Sequence, residues 1–204
     1  ACARYANQDG VLVRTEDEAR AVVARYDSLG YKQIKLYNLV HPDLVPVIAA
    51  EAHARGMRLS GHIPRGMSVT AAISVGYDEV QHGAVLFSDF FQDSLYFPRM
   101  RAYSEVAGIV APTFNVDAPE VTTLINILRD RGTVFDGTFN IWQNRMRLLP
   151  DGTDPVFGPT IEWLPPVMQR DLRAGQGGSS EAFARAQSAS TAYRRMLKRL
   201  FDAG

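Results

Sequence analysis

Cysteine is nearly missing from this sequence: Cys2 is the only one, so no internal disulfide can staple the fold and the redox compartment is left open. An excess of either charge is missing as well. Lys+Arg 22 against Asp+Glu 22 gives a formal net charge of zero, which removes the global field that would draw in nucleic acid or an anionic membrane. A small molecule is the expected partner. No apolar stretch approaches the roughly 20 residues that a spanning helix requires, so no membrane segment is expected. Ala1 is not followed by the basic and apolar regions of a signal peptide, and because the chain is expected to begin inside a domain, localisation is not encoded in it. There is neither an internal repeat nor a low-complexity tract.

What is present is ordinary globular composition, 46% hydrophobic and 22% charged over 204 residues, enough for one sizeable core. Thr15 and Glu18 form a capping-box pattern ahead of Ala19, Val22, Val23 and Tyr26, which predicts a helix from Thr15 to Gly30. Gln33 to Val40 reads as a short buried strand with Lys35 in its middle, and Pro42 to Arg55 as a helix stopped by Gly56. A strand from Met57 to Ile63 follows. Ser68 then caps a short helix, and Glu79 to Gln81 forms a strand leading into His82. Strand and helix alternate with short connections, the pattern of parallel strands joined by right-handed helical crossovers.

The second half is less regular. A strand is expected near Ile109 to Phe114, a helix opened by Pro119 and ended by Gly132, and a strand from Thr133 to Trp142. A long irregular loop is expected at about 143–178, rich in proline and glycine without periodicity. From about Ser180 a last helix carries Phe183, Ala186, Tyr193, Leu197 and Leu200 on one stripe. Its terminal cluster of Arg194, Arg195, Lys198 and Arg199 suits the helix dipole as a solvated face.

Lys35, His62 and His82 each sit in or just after one of three successive predicted strands, 27 and then 20 residues apart, which is one strand–helix unit per step. In a parallel barrel the C-terminal strand ends share one face, and that face is where sites are built. Two histidines on adjacent strands can share a metal ion, each binding through one ring nitrogen while the other is oriented by a neighbour. A buried lysine must pair, lose its proton or be modified; a neutral amine that captures carbon dioxide becomes an anionic carbamate ligand. From spacing alone, a metal site and a set of satisfied polar residues remain equally open.

The stretch YKQIKLYNLVHPDLVPVIAAEAHARGMRLSGHIP, Tyr31 to Pro64, followed by VGYDEVQHG, Val75 to Gly83, resembles the imidazolonepropionase and prolidase-like branch of the metal-dependent amidohydrolase superfamily. The resemblance implies an α/β fold, a partial (β/α)8 TIM-type barrel running roughly from the third helix through the helix before strand eight, with residues 1–204 as the central part of one barrel domain. It implies Lys35 as a carboxylated lysine and His62 and His82 as metal ligands. The cofactors it implies are one or two divalent ions, zinc first, with carbon dioxide taken up as the lysine carbamate. The implied activity is peptidase-like hydrolysis of amide or other C–N bonds, in dipeptides or N-acyl amino acids, by metal-activated water. The family's His-x-His pair of the first strand has no counterpart here, nor has the strand-eight aspartate that acts as general base. Activity is therefore expected of the whole protein and left open for these 204 residues alone.

Around these ligands, Tyr37 is a candidate contact to a substrate oxygen and Arg65 a candidate for holding a substrate carboxylate. His53 reads as structural and His41 as a non-ligand near the same rim, and Asp136 and Asn140 match no ligand position. The alternative from another class is a noncatalytic partial barrel without metal, a binding or oligomerisation module whose open sheet edges pair with missing strands or with another chain.

Overall fold

The computed structural model describes residues 10–90, 113–139, 154–156, 158–174 and 180–204. Helix α1, Glu16–Ser28, begins as its capping box dictates: the Thr15 hydroxyl accepts the Glu18 amide at 3.2 Å while the Glu18 carboxylate accepts the Thr15 amide at 3.2 Å. Acidic Glu16, Asp17 and Glu18 complement the positive end of its dipole. Ala19 and Val23, one turn apart, carry its buried face.

Strand β1, Gln33–Leu36, leads through a 3-10 turn at Pro42–Leu44 into helix α2, Val45–Ala54. Strand β2, Arg58–Gly61, helix α3, Val69–Ser74, and strand β3, Glu79–Gln81, follow. The Ser68 hydroxyl caps α3 by accepting the Ala71 amide at 3.0 Å. A 3-10 segment, Gly83–Asp89, comes next; then helix α4, Pro119–Arg131, strand β4, Val134–Asp136, helix α5, Pro166–Ala174, and helix α6, Ser180–Asp202.

The four strands form one parallel sheet in the order β1-β2-β3-β4. Sequential parallel strands joined by right-handed crossovers carry their helices on one face. That face holds the core: Ile34 and Leu36 of β1, Leu59 of β2 and Val80 of β3 pack with Ile48, Ala49 and Ala52 of α2, Ala72 of α3, and Val121 and Leu124 of α4. The register puts Lys35 beside Ser60, Ser60 beside Glu79, and Gln81 beside Asp136. By the two-residue alternation of strands these polar residues line the other face, where the Gln33 amide donates to the Ser60 hydroxyl and the Gln81 amide to Glu79 at 2.6 Å. The arrangement is an α/β fold with a four-stranded parallel sheet, compatible with an arc of a barrel.

Several expected elements are shorter than the sequence predicts. β1 stops at Leu36 instead of Val40, because the Val40 amide turns back to the Tyr37 carbonyl and the next turn is set by Pro42. β2 ends at Gly61, leaving His62 just beyond the strand. β4 ends at Asp136, since the Asp136 carboxylate accepts the Thr138 amide at 3.0 Å and closes a turn; residues 140–142 of the strand expected to reach Trp142 lie outside the described residues. Thr113 and Phe114 are not in a strand, and the rest of the strand expected from Ile109 lies outside the described residues. The loop expected at about 143–178 contains a 3-10 turn at Gly158–Trp163 and helix α5 in its described part. The Gln169 amide fastens that pair by donating to the Glu162 and Leu164 carbonyls at 3.2 and 2.7 Å. No helix among the described residues is long and apolar enough to cross a membrane.

Candidate functional site

His62 follows β2 and is held from three sides. Its amide donates to the Leu36 carbonyl at 3.0 Å, extending the β1–β2 ladder by one residue. Its carbonyl accepts the buried Tyr77 hydroxyl at 2.7 Å. Its ring stacks on Tyr37, centroids 4.4 Å apart and planes 21° from parallel. Gly61 permits this approach: at φ +119° it occupies a conformation L side chains rarely adopt, and a Cβ there would overlap the Leu36 carbonyl.

His82 follows β3 in the same way, its amide donating to the Asp136 carbonyl at 2.9 Å. Its backbone then departs from the strand to φ 71°, ψ 104°, uncommon for a residue with a Cβ. That departure carries the ring back across the sheet. Its Nδ1 lies 2.8 Å from the Thr138 hydroxyl and its Nε2 3.0 Å from Nε2 of His62. Burial first, then the charges of His82 and Lys35, pushes the His62 imidazole down to about 4. Burial and then Lys35 lower His82 as well, with Asp136 opposing. Both rings are therefore neutral near pH 7, the form that ligates metal.

Lys35 stands on β1 opposite Ser60, its Nζ 5.9 Å from the Tyr37 ring centroid, near enough for its charge to be felt at both histidines. The expectation of a buried lysine is corrected: Lys35 is exposed, because among the described residues helices cover the Ile34 and Leu36 side of β1 and not the Lys35 side. Burial therefore gives no reason for its modification. Tyr37 lies past the end of β1, exposed, with its ring over His62. Arg65 is exposed on the same rim, its amide donating to the Asn38 carbonyl at 3.0 Å.

The remaining candidates disperse. His41 is exposed and its Nδ1 accepts the Asp43 amide at 3.4 Å. His53 meets Asp78 at 2.9 Å at the opposite end of the strands. Asp136 ends β4 beside Thr138, and Asn140 lies outside the described residues.

Two nitrogens bound to one tetrahedral ion at the usual bond lengths stand about 3.3 Å apart, so a pair at 3.0 Å fits two adjacent positions of such a sphere. Among the described residues no group of three or more His, Cys, Asp or Glu gathers to complete it. Any further ligands would have to come from Lys35 or from outside this set. No protein-family model matches the chain. No curated protein matches it. Among solved structures the chain is similar to bottromycin amidohydrolase, with 15% identity, a TM-score of 0.48, and coverage of 98% of this chain and 48% of that one. The chain spans about half the length of that neighbour.

Two residues of the site escaped the sequence reading. Thr138 belonged to a predicted strand and gave no sign of turning toward His82. Tyr193 counted only as part of an apolar stripe, yet its hydroxyl donates to the Gly137 carbonyl at 2.5 Å and its ring packs so closely on Gly83 that a Cβ there would overlap it. Burial raises its phenol well above the usual range. The available signal was the tyrosine itself, since a buried tyrosine hydroxyl needs a partner.

Proposed function

We propose that this chain contributes the histidine part of a metal-dependent hydrolase centre, within a longer barrel enzyme that cleaves amide or other C–N bonds in small dipeptide-like or N-acyl amino acid substrates. The observation that carries the reading is the meeting of His62 and His82 through their Nε2 atoms at 3.0 Å, at the ends of adjacent parallel strands. A divalent ion bound there, zinc first, would supply a Lewis acid that polarises the scissile carbonyl and acidifies water toward neutral pH. The chain's own residues do the rest of what is described. His62 and His82 present neutral imidazoles; Tyr37, itself exposed, shields one face of His62 and is a candidate contact to a substrate oxygen; Arg65 offers a fork for a substrate carboxylate. Lys35 is exposed and open to carbon dioxide, and as a carbamate it would supply the anionic oxygen that the histidine pair lacks.

The test is a cobalt(II) and zinc titration with hydrolysis of a panel of dipeptides and N-acyl amino acids. Wild type binds metal, while His62→Ala and His82→Ala each lose it together with hydrolysis, and Lys35→Ala weakens it. Unchanged metal content and hydrolysis in the two histidine variants would overturn the proposal.

A second reading, a metal-free binding or oligomerisation module, draws on the sheet edges: among the described residues β1 pairs only with β2 and β4 only with β3. Failure of wild type to bind either ion, together with concentration-dependent association by sedimentation, would favour it.

A further inference from the structure

We infer that Thr138 is a positioning residue that fixes the ring orientation and tautomer of His82, holding its Nδ1 as N–H and leaving its Nε2 bare toward His62. The backbone of Thr138 is held in place. Its amide is tied to the Asp136 carboxylate at 3.0 Å, and its backbone sits at φ 43°, an uncommon conformation for a β-branched residue. A strained residue of this kind persists only where its surroundings over-determine it. Here they do: the His82 amide donates to the Asp136 carbonyl at 2.9 Å and the Gly83 amide to the Gly137 carbonyl at 3.2 Å, so the turn after β3 and the turn after β4 are sewn together. Tyr193 of α6 clamps that seam by donating to the same Gly137 carbonyl while packing on Gly83. The hydroxyl of Thr138 is thus delivered to within 2.8 Å of Nδ1 by three separate elements.

A threonine hydroxyl can donate or accept, and the nearby charges favour its accepting from Nδ1. Asp136 stands beside Thr138 on the Nδ1 side of the ring. Lys35 stands by Tyr37, which stacks on His62, the ring that Nε2 of His82 faces. Negative potential at Nδ1 and positive potential at Nε2 both place the proton on Nδ1. The single proton between the two Nε2 atoms then belongs to His62, and the Nε2 lone pair of His82 points at the shared position. This is the tautomer that a ligand binding through Nε2 requires.

The metal arm of the test rests on the function proposed above; the tautomer arm does not. With histidine ¹⁵N-labelled and metal removed by chelator, long-range ¹H–¹⁵N correlation spectra at about pH 8, above the usual histidine range, read the tautomer directly. Wild type shows His82 protonated at Nδ1. Thr138→Val and the smaller Thr138→Ala lose that pattern, and Thr138→Ser, which keeps the hydroxyl, restores it. Zinc affinity by chelator competition falls about 10- to 100-fold in Thr138→Val and returns to within about threefold of wild type in Thr138→Ser. A wild-type His82 protonated at Nε2, or folded valine and alanine variants with the wild-type pattern, overturns the inference. If wild type binds no zinc while the tautomer pattern holds, the proposed function fails and the role of Thr138 stands.

Discussion

The imidazoles of His62 and His82 face each other through Nε2 atoms 3.0 Å apart, a separation that holds one proton between two nitrogens and has no room for a second. The pair therefore cannot hold a charge on both rings at once. Its environment agrees, since burial lowers both rings and the Lys35 charge lowers them further.

The pH dependence of stability follows from this pair. His62 titrates near 6.5 when unfolded and at about 4 when folded. Between those values the unfolded chain binds more protons than the folded one, so stability rises with pH across the window and is lost as pH falls through it. Urea midpoints of chelator-treated protein are expected to drop from about pH 6.5 to about pH 4, with His82 adding in the same sense. His62→Gln should flatten the slope. An equal slope in wild type and His62→Gln would count against the neutral pair.

Tyr37 covers one face of His62, with centroids 4.4 Å apart. Because burial is the largest cause lowering His62, Tyr37→Ala should move its titration upward toward the usual histidine value of about 6.5, whereas Tyr37→Phe, which keeps the ring, should not. NMR titration of the His62 ring protons checks this. If Tyr37→Phe slows hydrolysis with an unchanged His62 titration, the hydroxyl contacts substrate as well as the ring covering the histidine.

Gly83 and Tyr193 share a space that admits no methyl group. Gly83→Ala is expected to destabilise the protein by about 1–3 kcal/mol through overpacking. Tyr193→Phe removes only the hydrogen bond to Gly137, whose carbonyl keeps the Gly83 amide, and should cost about 1 kcal/mol. In a Tyr193→Leu background the alanine should cost less than in wild type, a coupling that denaturant titration of the double-mutant cycle would read.

Asp78 stitches the other end of the strands. Its carboxylate accepts the Leu59 amide at 2.7 Å and meets His53 at 2.9 Å. Asp78→Ala should destabilise by about 1–3 kcal/mol, since the part-buried Leu59 amide loses its acceptor. His53→Ala should cost less, and both variants should bind zinc like wild type. A change in zinc affinity in His53→Ala would show that the two ends of the sheet are coupled.

Much of the fold was legible because its signals are local. Thr15 with Glu18, Ser68 and Gly132 mark helix ends through bonds that span at most a turn, Pro119 does so through its fixed φ and missing N–H, and each marks the end it was expected to mark. Strand length was less legible. What ends β1 and β4 is the turn each chain makes after the strand, through Val40 onto Tyr37 and Thr138 onto Asp136, and alternating apolar residues do not encode that turn. Helix α5 was missed because it lies inside a tract whose prolines and glycines read as one long loop, although Pro166 is well placed to open a helix.

The one-unit spacing of Lys35, His62 and His82 was enough to place all three on one rim of a parallel sheet, because strand and crossover lengths are properties of the chain itself. Only the tertiary structure decided which of them touch. Nε2 of His62 reaches Nε2 of His82 while Lys35 stays exposed; Thr138, 56 residues beyond His82, meets its Nδ1, and Tyr193, 111 residues beyond, packs on Gly83 and bonds to Gly137. Contacts of that range depend on where separate turns and a distant helix come to rest against each other, and no local pattern of residue types records it.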